Sequence, residues 1–264
     1  MSETSSKQFG PIHDDYAFFE AHATEAAEDL RAYGPPLHAL TNKSELIRML
    51  DFGCGSGKFT TKFLSLLRSP REQLRVFVVE PDEIYRQQAI EQLEVFTAHP
   101  VHAWRALPPD CEACFDVVLA NQVFYYVPNL DDLLSGLSHA LASSGLFLAA
   151  IAGQSNTLIQ FWNHCFALIG KPVPFHTAEA VVVALDHQRV SHRREDVQYQ
   201  LSFPDSEENR LKILRFLLGS YFSDVPRQAM LDLFEPHMQA GQIWMQLVHE
   251  HLVIWRDDDR SIGT

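Results

Sequence analysis

Basic residues are in short supply: 21 lysines and arginines stand against 34 acids in 264 residues, a formal charge of −13. That balance repels phosphate backbones and leaves no basic stripe for a polynucleotide. Long apolar runs are also missing, since none approaches the roughly eighteen residues of a membrane span. The first residues, Met1 to Gln8, show no basic segment followed by an apolar core. The expectation is a cytoplasmic protein with neither a nucleic-acid nor a membrane partner. Cysteine is scarce as well, four in the whole chain, too few for a disulfide framework. Cys111 and Cys114 have C-x-x-C spacing without a second pair, so no zinc or redox centre is expected there. Hydrophobic residues, at 46%, suffice for a real core.

Two familiar nucleotide motifs are absent. A dinucleotide fingerprint would require glycine where Lys58 stands, and a phosphate loop would require glycine at Phe52 and a hydroxyl at Phe59. What the chain has is Leu50 to Thr60, in which an apolar run (Ile47, Met49, Leu50) ends at Asp51 and is followed by Gly53, Gly55 and Gly57. Strand, tight turn and helix start in that order let a small polar ligand approach the backbone. Cys54 reads as a small filler of the turn. One strand further on, Leu74 to Glu80 is apolar and ends in a carboxylate placed to accept two hydrogen bonds from a ribose diol. A ribose contact without a phosphate loop implies S-adenosylmethionine. Expected cofactor contacts are Asp51, which also fits as a brace of the turn, Gly53, Cys54, Gly55, Gly57, Glu80, Pro81, Asn121 and Gln122. Trp104 offers either a stacking contact or ordinary core burial.

Short apolar strands alternate with amphipathic helices from about 46 to 152, the pattern of a parallel sheet covered on both faces. Strands are expected at 46–52, 74–80, 100–104, 115–120 and 145–152, and helices at 57–68, 83–97 and 130–142. A single helix over Asp14 to Ala32 precedes them, closed by Pro35-Pro36. Later come helices over Leu158 to Leu168 and Thr177 to Leu185, a charged strand at 189–203, helices at 206–218 and 226–238, and a final strand over Gln242 to Trp255. Asp257 to Thr264 reads as a frayed tail. The domain division that follows is a cap over 1–45, a cofactor-binding core over 46–155, an auxiliary region over 156–240 and a returning strand over 241–256.

Ligands of open parallel sheets sit at the carboxyl ends of the strands, which points to Asn121, Gln122 and the loop through Val127. Methyl transfer from a sulfonium needs an aligned nucleophile and no metal. For an amine or imidazole acceptor, a carboxylate and amide oxygens orient the nitrogen, roles that Glu25, Gln122 and Gln246 fit; activity should then rise from acid towards mildly basic pH. An asparagine-proline-proline-tyrosine loop, which would receive a planar amide or adenine NH₂, is absent. His249 and His251 share one face of a strand, but no third ligand is evident and no metal is expected. His22 reads as structural rather than as a base.

Taken in order, Phe18-Phe19-x-x-His22-Ala-Thr24-Glu25, the loop from Asp51 to Gly57, Val78-Val-Glu80-Pro81, Ala103-Trp104 and Gln122-Val-Phe-Tyr125-Tyr126-Val127 resemble histamine N-methyltransferase and its relatives, thinly, from Tyr16 to Val253. The resemblance implies an α/β fold, a Rossmann-like seven-stranded methyltransferase sheet with an N-terminal helical cap and a small C-terminal auxiliary region, acting as a monomer on a small-molecule substrate. Glu25 and Gln122 would contact the amine, and Tyr16, Phe19, Tyr125, Tyr126 and Trp162 would enclose it. The family's substrate-contacting asparagine falls at Leu247, with Gln246 beside it on the opposite face. A small-molecule O-methyltransferase and a non-catalytic cofactor-binding protein are the alternatives.

Overall fold

The computed structural model describes residues 12–38 and 46–256; Met1 to Gln8 and the tail from Asp257 lie outside the described residues. Apolar runs form the strands β1 (Ile47–Phe52), β2 (Leu74–Val79), β3 (His102–Trp104), β4 (Phe115–Asn121) and β5 (Leu141–Ile151). Downstream lie β6 (Ser191–Pro204), β7 (Met238–Gln239) and β8 (Gln242–Trp255). The sheet runs β3-β2-β1-β4-β5-β8-β6, with β7 paired to β8. The first five strands are mutually parallel, while β8 lies antiparallel between β5 and β6. This is the seven-stranded doubly wound sheet expected, plus one short strand. Ala240 and Gly241, both at positive φ, make the two-residue turn that joins β7 to β8.

Alternation along each strand divides the apolar side chains between two cores. Val117 and Leu119 face one core with Met49, Val76 and Phe63. Val118 and Ala120 face the other with Phe147 and Leu134. The first core is covered by α2 (Glu25–His38), α3 (Lys58–Leu67) and α4 (Glu83–Leu93). The second lies under α1 (His13–His22), α5 (Leu130–Ala140), α6 (Thr157–Leu168), α7 (Ala178–His187), α8 (Glu207–Leu218) and α9 (Arg227–Asp232).

Several boundaries differ from the sequence reading. The single N-terminal helix is two, because Ala23 forms a β-bridge to Leu201 and Thr24 exchanges hydrogen bonds with the Gln200 backbone. Helix α2 then runs through Pro35 and Pro36 to His38. Proline's φ is helical but each ring forgoes a backbone hydrogen bond, and buried Tyr33 and Leu37 hold this last turn on the core. The helix expected to reach 238 stops at Asp232, and Pro236 follows in a separate 3-10 turn. Strand β5 begins four residues early at Leu141, which pairs with Phe115 before a register shift.

Candidate active site

The strand order reverses between β1 and β4, so their carboxyl ends open a crevice at the switch point of the sheet. After β1, Gly53, Gly55 and Gly57 all take positive φ, each for a different reason. A Cβ on Gly53 would collide with the Val123 side chain, and one on Gly57 would come within 3.1 Å of Ala89 Cα on α4. Gly57 therefore allows helix packing. A Cβ on Gly55 would enter open space, which is where a ligand can meet bare backbone. The Gly55 N–H donates to Glu80 Oε2 at 3.0 Å, and the Asp82 N–H donates to Glu80 Oε1 at 2.9 Å. Both oxygens keep acceptor capacity for a diol. Burial raises the Glu80 carboxyl, against these two amides. Burial also pushes Asp51 up to about 7, against a 2.6 Å hydrogen bond donated by the Thr60 hydroxyl.

At the end of β4 the chain turns sharply at Gln122, a non-glycine residue at φ 55°. Its backbone N–H donates to Ala150 O. The Tyr125 hydroxyl donates to Gln122 Oε1 at 2.9 Å and accepts from the Ala152 N–H at 2.6 Å. The Gln122 Nε2 group lies 3.1 Å from His249 Nδ1, and Glu25 Oε1 is 3.6 Å from that same nitrogen. Asn121 accepts from the Tyr33 hydroxyl and donates to Asp29. Burial raises Glu25, opposed chiefly by His249. Burial alone would lower His249, but Asp29 and Glu25 hold it up at about 10. Burial alone would raise Asp29, yet the imidazoles of His249 and His251 keep it well below the carboxylate range.

One cavity of about 1480 Å³ joins these groups. Among the expected residues it is lined by Gly53, Cys54, Gly55, Glu80, Pro81, Asn121, Gln122, Tyr16, Phe19, Glu25, Tyr125, Tyr126 and Trp162. Trp162 is fixed by its Nε1 donating to Leu217 O at 2.9 Å. Four expected residues stand outside the lining. Asp51 is buried behind the loop and braces Thr60, and Gly57 packs on Ala89. The Trp104 ring stacks on Phe77 at 5.5 Å, with Arg105 and Ala106 lining the cavity in its place. Gln246 lies on the exposed face of β8, as alternation with buried Leu247 demands. Sequence reasoning missed Tyr199, Asn156 and Phe216, which also line the cavity. Tyr199 shares the inward face of β6 with buried Val197 and Leu201, and that two-residue spacing is the one signal that could have placed it inward.

The open cradle over Gly55, the oriented carboxylate of Glu80 and a cavity with room for two ligands suit a nucleoside cofactor and an acceptor together. Residues 50–147, spanning β1 to β5, match the family model described as a methyltransferase domain. The fold and this domain define the class: the chain carries a methyltransferase domain of Rossmann-like α/β architecture, and it is an enzyme whose cofactor is S-adenosylmethionine. The likeness to solved structures is one of fold. The YcgJ protein of Bacillus subtilis superimposes with a TM-score of 0.54 at 14% identity, over 84% of this chain and 98% of that one. A candidate sarcosine dimethylglycine methyltransferase of Galdieria sulphuraria gives 0.52 at 14%, over 86% and 85%. A geranyl diphosphate C-methyltransferase of Streptomyces coelicolor, solved with S-adenosylhomocysteine, gives 0.50 at 14%, over 86% and 79%. No curated protein matches the chain. Among the described residues no helix is long and apolar enough to cross a membrane.

Proposed function

We propose that this methyltransferase acts on a nitrogen of a small amine or imidazole metabolite, in the manner of histamine N-methyltransferase. The observation that carries the reading is Glu25, a half-buried carboxylate facing the same cavity as Gly55 and Glu80 and surrounded there by Tyr16, Phe19, Tyr125 and Trp162. The cofactor supplies a methyl group on a sulfonium, whose departure needs only alignment of the incoming nucleophile. Glu25 binds the cationic end of the acceptor, and the aromatic faces favour a flat or cationic group. Gln122, fixed between Tyr125 and His249, orients the reacting nitrogen through its amide. The cofactor half of the cavity is assigned to Gly53, Cys54, Gly55, Glu80, Pro81 and Asn121.

A second reading, methyl transfer to the oxygen of a small carboxylate, rests on Lys58, Lys62 and Arg105, which also line the cavity. Incubating the enzyme with a metabolite extract and deuteromethyl-labelled cofactor separates the two readings by mass spectrometry. The expected product carries the label on nitrogen. A label on oxygen supports the second reading, and no labelled product despite cofactor binding contradicts both. With the acceptor in hand, Gln122→Ala should lower kcat at least tenfold while leaving cofactor affinity within about twofold, the pattern of a group that acts on the reacting atoms.

A further inference from the structure

Behind the wall of the cavity, three side chains that do not themselves line it meet at one point. Asp29 comes from α2, and His249 and His251 from alternate positions on the inner face of β8. Nε2 of His249 lies 2.6 Å from Asp29 Oδ1, and Nε2 of His251 lies 2.7 Å from that same oxygen. The three donor atoms all fall within 4.8 Å of one another. Asp29 and His249 are fully buried and His251 is 2% exposed, and the two imidazoles stack at 5.1 Å.

Hydrogen bonding accounts for His251 but not for His249. The His251 ring meets Asp29 at good geometry. His249 Nε2, although close to the same oxygen, is buried with no aligned hydrogen-bond partner. Its 2.6 Å approach to Asp29 Oδ1 is thus a charge contact rather than a hydrogen bond. Two imidazole nitrogens and a carboxylate oxygen are a donor set suited to first-row transition-metal ions. Outer groups of the kind that orient metal ligands are also nearby. The second Asp29 oxygen accepts from Asn121 Nδ2 at 3.0 Å, and the Glu25 carboxylate lies 3.6 Å from His249 Nδ1.

We propose that Asp29, His249 and His251 form a binding site for a divalent transition-metal ion of the zinc class. The ion clasps the N-terminal helix α2 to the last strand, a separation of 222 residues between Asp29 and His251. Its role is positional. Glu25 sits one turn before Asp29 on the same face of α2, and Gln122 rests on His249, so the clasp fixes both residues of the acceptor side without touching the acceptor.

The test needs no acceptor. Protein prepared without a polyhistidine tag and without chelator is analysed for metals by inductively coupled plasma mass spectrometry. It is then stripped, checked for native circular dichroism, and titrated with Zn²⁺ and with Co²⁺. The site predicts one equivalent of transition metal per chain, stoichiometric rebinding at micromolar concentrations or below, visible Co²⁺ absorption, and a melting temperature that rises with the ion. Asp29→Asn and His251→Gln should each weaken Co²⁺ binding by about 100-fold or more, beyond what loss of an outer contact does. Folded wild-type protein that takes up neither ion at micromolar concentration overturns the proposal, as does uptake unchanged in both variants; the three groups would then simply share protons. Should the variants fail to fold, the wild-type titration alone decides.

Discussion

Gly55 and Gly57 share a positive φ, yet their surroundings assign them different tasks, and substitution should separate these. Alanine at either costs about 1–2 kcal/mol of backbone strain. At Gly57 the added methyl also meets Ala89 on α4, whereas at Gly55 it enters the cavity. Gly57→Ala should therefore lower stability in urea unfolding by the larger amount, while Gly55→Ala should weaken S-adenosylhomocysteine binding by about tenfold or more, roughly the 1.4 kcal/mol of one decade. Equal effects of the two variants on both measurements would contradict this division. Asp51 gives a second test. Its carboxyl stands at about 7 when folded against an ordinary 3.8, so the native state binds the extra proton. Stability from this group is greatest in acid, falls as pH rises from about 4 to about 7, and stays low above that, by on the order of 4 kcal/mol over the full span. Asp51→Asn should flatten the slope when urea unfolding is compared at about pH 5 and pH 8. A slope as steep as that of the wild type would refute the assignment. The loop and Glu80 were legible because glycine spacing and a strand-terminal acid are local signals. Trp104 and Gln246 were not, since the packing of Phe77 and the phase of β8 decide where those side chains point.

Among the elements, the break between α1 and α2 owes nothing to local sequence. Apolar residues keep helical spacing across it, and the interruption comes from β6, whose Gln200 and Leu201 engage Ala23 and Thr24. The elbow carries Tyr16 and Phe19 on one side and Glu25 on the other, so a strand far along the chain sets the shape of that end of the cavity. Thr24→Ala removes the hydroxyl that accepts from the Gln200 N–H at 2.9 Å, and should cost about 1 kcal/mol. Hydrogen exchange should report faster amide exchange in α1 with the core strands unchanged; uniform protection would contradict the tether. The same dependence on distant elements hid Tyr199, and hid Asp29 as the neighbour of His249 and His251. Each lies on an ordinary strand or helix pattern, and only the antiparallel pairing of β8 with β5 and β6 brings them behind Gln122. The parallel strands, by contrast, were readable as apolar runs because both of their faces are buried.

Across the whole molecule, the architecture divides the work. The ends of β1, β2 and β4 in the parallel half of the sheet line one side of the cavity, and α1, α2 and α6 with the antiparallel strand β6 line the other; the proposed function gives the first to the cofactor and the second to the acceptor. The central claim is that the backbone of Gly55 and the carboxylate of Glu80 hold the nucleoside of the cofactor. Isothermal titration of S-adenosylhomocysteine into wild-type and Glu80→Ala protein tests it most directly. One-to-one binding to the wild type, weakened in the variant by about 2–4 kcal/mol for the loss of charge-assisted hydrogen bonds, is the predicted result. No heat with folded wild-type protein, or equal affinity in both, would contradict it.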